Sequence, residues 1–189
     1  MKAIILVLIL TFSTSAMADV NKKNLGIALG LVPVAFFHET LHHELAHMTT
    51  SFAVVPGLKV GKFAPYPCSI EGKFHFGYYY YNYPDNIRLG DNTHVAISIA
   101  PYALGTTAFV VSDILMSTGV VKTDRSSGAV LYVLGMLAPF VDFAVGFFGR
   151  SDWKEIREKS GYAFDAVGAV LIAVGAYRLV KHGVDVFSK

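Results

Sequence analysis

The densest chemistry in the chain is the run His38-Glu39-Thr40-Leu41-His42-His43-Glu44-Leu45-Ala46-His47. It holds two H-E-x-x-H motifs, His38-Glu39…His42 and His43-Glu44…His47. On a helix, residues four apart share a face, so each histidine pair can present two imidazoles to one metal ion. The glutamate after the first histidine then reaches a water held by that ion and takes its proton. Five residues of advance turn a helix by roughly 140°, so the two copies face different directions and only one can be the centre. The second copy is the choice, because it lies further toward the side where later segments carry buried carboxylates. His43 and His47 are the expected metal ligands and Glu44 the expected general base. His38, Glu39 and His42 are left as alternative ligands or as supporting groups that line a water path or tune the site.

Those residues need elements to hold them, and the composition says which kind. Of 189 residues, 53% are hydrophobic and only 16% are charged, with a mean hydropathy of +0.48. An ordinary soluble domain is about 25% charged. So many apolar side chains exclude a disordered chain. Sixteen basic against 14 acidic residues leave a net charge of +2, which excludes the electrostatic footprint of a nucleic-acid binder. Cys68 is the single cysteine, so no disulfide scaffold forms within one chain, and it reads as a reduced bystander. The composition is that of a small integral membrane protein, in which ionisable groups inside apolar segments are expensive and usually functional.

Residues 1–18 read as a signal peptide or an uncleaved anchor: Lys2, an apolar core from Ala3 to Phe12, and a small-x-small site at Ala16-Met17-Ala18. Residues 19–189 then form one membrane domain. Its expected fold is α-helical, with four spanning helices over Leu25–Thr49, Val95–Thr118, Ser126–Gly149 and Ser160–Tyr177. Pro33, Pro101 and Pro139 are tolerated in such helices. Between the first and second lies a β-rich insertion, residues 52–91. There Val60–Phe63 and Lys73–Phe76 alternate polar and apolar residues and predict a small hairpin or sheet. The run Tyr78–Tyr81 fits either an aromatic belt or a strand edge that holds a peptide. Lys59, Lys62, Lys73, Arg88, Arg150, Lys154, Arg157 and Lys159 fall in two loops on one side, against Lys122 and Arg125 on the other. By the positive-inside rule the insertion is cytoplasmic. The expected location is multi-pass, in a bacterial inner membrane.

Two histidines leave a zinc site short of a third protein ligand. Asp142 on the third helix fits by depth, and Asp165 on the fourth is its rival. Asp113 lies toward the opposite surface. His75, His94 and His182 stand alone, and Asp152–Lys159 reads as a solvated loop.

His43-Glu44-Leu45-Ala46-His47 on a membrane helix, a β-rich insertion, then Pro139-Phe140-Val141-Asp142 on a later helix resembles the site-two protease class of intramembrane zinc metalloproteases. The resemblance covers roughly Phe36 to Gly149. It implies Zn2+ bound by His43, His47 and Asp142, with Glu44 activating a zinc-bound water to hydrolyse a peptide bond. Phe143 stands where members of that class usually carry Gly. The implied partners are the lipid bilayer and a membrane protein or peptide substrate, with no nucleic acid; the sequence leaves the oligomeric state open. Two other functions compete. One is a non-catalytic metal- or proton-binding membrane protein, such as a pseudoprotease, chaperone or transport subunit. The other is a di-iron membrane oxygenase, which calls for more histidine boxes than the single cluster here.

Overall fold

The computed structural model describes residues 20–84, 87–149 and 152–188. The signal-like segment, residues 1–18, lies outside them. Four helices are long and apolar enough to cross a membrane. They are α1 (Lys22–Val54), α2 (Asp91–Ser117), α3 (Ser126–Phe148) and α5 (Ala163–Phe187). A short helix, α4 (Asp152–Ser160), lies between the last two.

Each helix follows from local chemistry. The Asn21 side chain accepts from the Asn24 backbone N–H at 3.1 Å and caps the start of α1. Asn24 is itself buried and donates to Val186 O at 2.9 Å, tying the start of α1 to the end of α5. In α3 the backbone widens into a π-helical turn over Tyr132–Leu137. Pro139 follows, without an N–H and with a ring that crowds the carbonyl four residues earlier, so the wider turn relieves a defect that an unbroken α-helix would carry. That turn also sets which face of α3 carries Asp142.

The residue 52–91 insertion forms two antiparallel pairs. Strands β1 (Lys59–Ala64) and β4 (Tyr78–Asn82) pair outermost, and β2 (Cys68–Ile70) and β3 (Lys73–His75) pair at the far end. Glu71 and Gly72, both with positive φ (52° and 76°), make the two-residue turn between β2 and β3. The expected strand positions thus hold, and the tyrosine run is itself strand β4. It is pinned to α1 where Tyr79 OH and Ser51 Oγ meet at 2.7 Å.

Helix α2 packs against α1, α3 and α4. Gly135 of α3 lets the two backbones close up, because a Cβ there would collide with Ser112 of α2. One core joins Tyr132, Val133, Met136, Leu179 and Val186. A second, of Tyr102, Phe143, Phe147, Trp153 and Ile156, lies under the histidine cluster.

Two expectations need correction. Asp152–Ser160 is a helix rather than a solvated loop, because Trp153 and Ile156 fall on one face and bury into the aromatic core, at 2% and 0% exposure. The fourth long helix runs to Phe187 rather than stopping near Tyr177. Arg178 and His182, polar residues that suggest an end, are instead held inside by Asp113 of α2.

Candidate metal centre

His43 and His47 lie one turn apart on α1, and their Nε2 atoms approach to 3.2 Å. Oδ2 of Asp152 stands 3.0 Å from His43 Nε2 and 3.2 Å from His47 Nε2. These three residues could hold a metal ion. Ligand atoms about 2.0 Å from a tetrahedral ion stand about 3.3 Å from one another, so the triangle is close to ligand spacing already.

The far sides of the two rings explain their orientation. His47 Nδ1–H donates to the Ile97 carbonyl of α2 at 2.9 Å. A carbonyl only accepts, so Nδ1 carries a proton and Nε2 points inward. His43 Nδ1–H donates to Asp142 Oδ2, also at 2.9 Å. Metal-ligating histidines are held in this way, by a carbonyl or carboxylate on the second nitrogen. Two imidazole nitrogens and a carboxylate oxygen therefore face one point, which is stable only with positive charge, a proton or a metal ion, among them.

The acidic residues expected here divide. Asp142 reaches His43, but on the outer nitrogen, so it stands behind the imidazole and not at the point where His43, His47 and Asp152 meet. Asp152 fills the inner position. Burial would raise its carboxyl, but hydrogen bonds from His43 and His47 overturn that and hold it well below the usual carboxylate range. Asp165 is engaged elsewhere, accepting from Trp153 Nε1 at 2.8 Å and from Arg157 Nε at 2.8 Å. Those bonds fasten α4 to the start of α5. Further along, Glu155 accepts from Ser98 at 2.5 Å and pairs with His94 at 3.1 Å, fastening α4 to α2. His94 and His182 are thus partnered, and His75 packs edge-on against Tyr78. Sequence reasoning missed Asp152. The available signal was Trp153 and Ile156, whose i, i+3 spacing marks a buried helical face beginning at that aspartate.

Glu44 is 8% exposed and lies close enough to both imidazoles and to Asp152 for their charges to act on it. Gly77, just before β4, sits against it: a Cβ at Gly77 would come within 2.5 Å of Glu44 Oε1. The sheet thus lies directly over the glutamate. Tyr102 of α2 packs edge-on against His43, with ring centroids 5.8 Å apart, and in turn against Trp153 of α4 at 5.5 Å.

The first H-E-x-x-H copy takes another role. His38, Glu39, His42 and His43 together line a cavity of about 530 Å³ between α1, α2 and α3.

Searches of family models, curated proteins and solved structures found no match. Geometry alone carries the chemistry of the site.

Proposed function

We propose that this chain is a small intramembrane zinc metalloprotease, resembling the site-two protease class in its core. The observation that carries the reading is the convergence of His43 Nε2, His47 Nε2 and Asp152 Oδ2 beside a buried Glu44. A bilayer setting is supported by the long apolar helices and by their outward faces. Leu29, Phe37, Ile114 and Val170, on three of the long helices, all stand at least half exposed, and extensive apolar exposure marks a surface made for lipid or a partner. The orientation proposed is the one that the loop charges favour, with the strands and α4 on the cytoplasmic side of a bacterial inner membrane.

A zinc ion in this site supplies a Lewis acid that polarises a carbonyl and acidifies water. The chain's own groups do the remaining work. Asp142 and the Ile97 carbonyl keep both rings in the metal-facing tautomer. Glu44 accepts a proton from the attacking water and hands it to the leaving amine. Its burial beneath Gly77 keeps competing solvent low. A peptide hydrolysed here must be locally extended, since a helical peptide bond is covered by its own hydrogen bonding. Strand β4 pairs only with β1 among the described strands, and its other edge can accept an unwound segment.

The test is a pair of variants of the full chain in detergent. With a fluorogenic membrane-peptide library, Glu44→Gln should abolish cleavage while elemental analysis still finds zinc. His47→Ala should lose both. Cleavage that survives Glu44→Gln would end the protease reading and leave a metal-binding membrane protein.

A further inference from the structure

The cavity beside the centre extends well beyond it. It runs along α3 from Ser127 to Pro139, which at 1.5 Å per residue is about 18 Å. Val121, in the loop before α3, lines its far end. That end lies on the side of the molecule where α1 begins, opposite the strands and α4. Its walls are largely aliphatic, with Leu104 and Leu134 among them, and Ser127 is at its far end. The groups with nitrogen or carboxylate oxygen are the histidines and Glu39, gathered at the near end. An ion moving through such a space meets no charged or nitrogen group among the lining side chains until it reaches them.

Within that group, His38 and His42 are four residues apart on α1. Their ring centroids are 4.0 Å apart and tilted by 53°. His38 Nδ1 is buried with no hydrogen-bond partner among the described residues. A buried ring nitrogen without a partner is uncommon enough to need a reason. Two imidazoles on one turn, one with an unused nitrogen, are a ligand pair for zinc, cobalt, nickel or copper; calcium and magnesium prefer oxygen.

We propose that His38 and His42 form a second, weaker binding site for a divalent transition-metal ion, on the wall of the cavity leading to His43. Two protein ligands, rather than three, make it the weaker of the two. Its existence does not depend on whether the first centre hydrolyses anything. Its use as a way-station for the ion that loads His43, His47 and Asp152 rests on the metal reading of that centre.

The experiment is equilibrium dialysis of the purified, metal-stripped full chain against Zn2+. Wild type should show a tight and a weak class of site, one equivalent each. His38→Asn/His42→Asn should keep the tight class and lose the weak one. His43→Asn/His47→Asn should do the reverse. A tight class alone in wild type, or a weak class that survives His38→Asn/His42→Asn, overturns the proposal. If wild type lacks the tight class yet shows a weak one that this variant removes, the second site stands and the first centre falls. A measurement on the unaltered chain guards against misfolded variants. Carbethoxylation of His38 and His42, mapped by mass spectrometry, should be slowed by the second equivalent of Zn2+ and not by the first. Equal labelling at all zinc levels overturns the site.

Discussion

The two ring nitrogens of His43 face different carboxylates, and the difference between those carboxylates is measurable. Asp152 stands on the Nε2 side together with His47, and Asp142 on the Nδ1 side. A ligand and the group behind a ligand fail differently when removed. Asp152→Ala should eliminate tight zinc binding, because two imidazoles remain. Asp142→Asn still offers Nδ1 an acceptor but no charge, and groups in that position are worth roughly 10–100-fold in metal affinity. Competition against a chromogenic chelator checks both. Equal losses for the two variants would contradict the geometry. This also locates what the sequence conveyed and what it withheld. His43, His47 and Glu44 were legible because helical spacing alone puts them together. Between Asp142, Asp152 and Asp165, chain position conveys depth along an axis but not which side of an imidazole a carboxylate meets.

At the scale of elements, the third member of the candidate metal group, Asp152, rides on the short helix α4. Four helices were readable from apolar length, and the paired strands from alternation and the turn at Gly72. Helix α4 was not, because DWKEIREKS is mostly charged and its two apolar residues are easily read as loop. Packing overrides composition there. Trp153 and Ile156 enter the aromatic core, while Glu155 and Arg157 bond to α2 and α5 respectively. The position of Asp152 is therefore decided by a side chain four residues away that touches no metal. Ile156→Ala empties a fully buried site, a change that typically costs about 2–5 kcal/mol in a packed core. Its expected signature is reduced zinc affinity together with faster backbone exchange over residues 152–160, both partly restored by Ile156→Val. Unchanged affinity with faster exchange would show that Asp152 holds its place without α4.

The molecule as a whole carries buried charge at both ends of its helix bundle, and the two ends are built on different logic. At the strand end, two imidazole nitrogens and a carboxylate converge and call for a proton or a metal cation. At the other, a carboxylate already meets its counter-charge: Asp113 Oδ1 accepts from Arg178 Nε at 2.7 Å and from His182 Nε2 at 2.7 Å, joining α2 to α5. Arg178 also reaches Ser117. Both residues that donate to it are largely buried, His182 at 2% side-chain exposure and Arg178 at 21%. Removing the one carboxylate leaves positive charge uncompensated among apolar helices, where such losses run to about 3–5 kcal/mol. Asp113→Ala should therefore lower the thermal midpoint in detergent markedly. Replacing the set together, as Asp113→Leu with Arg178→Met and His182→Leu, should recover most of that loss, since apolar substitutes for a buried ion cluster are often neutral or stabilising. Tight zinc binding should be unaltered in both variants once they are folded, because none of the three residues contacts the centre or the core beneath it. A fall in zinc affinity that tracks the loss of stability would mean instead that the α2–α5 junction sets the geometry of the histidines from across the bundle. The triple substitution separates these outcomes, for it restores packing without restoring charge.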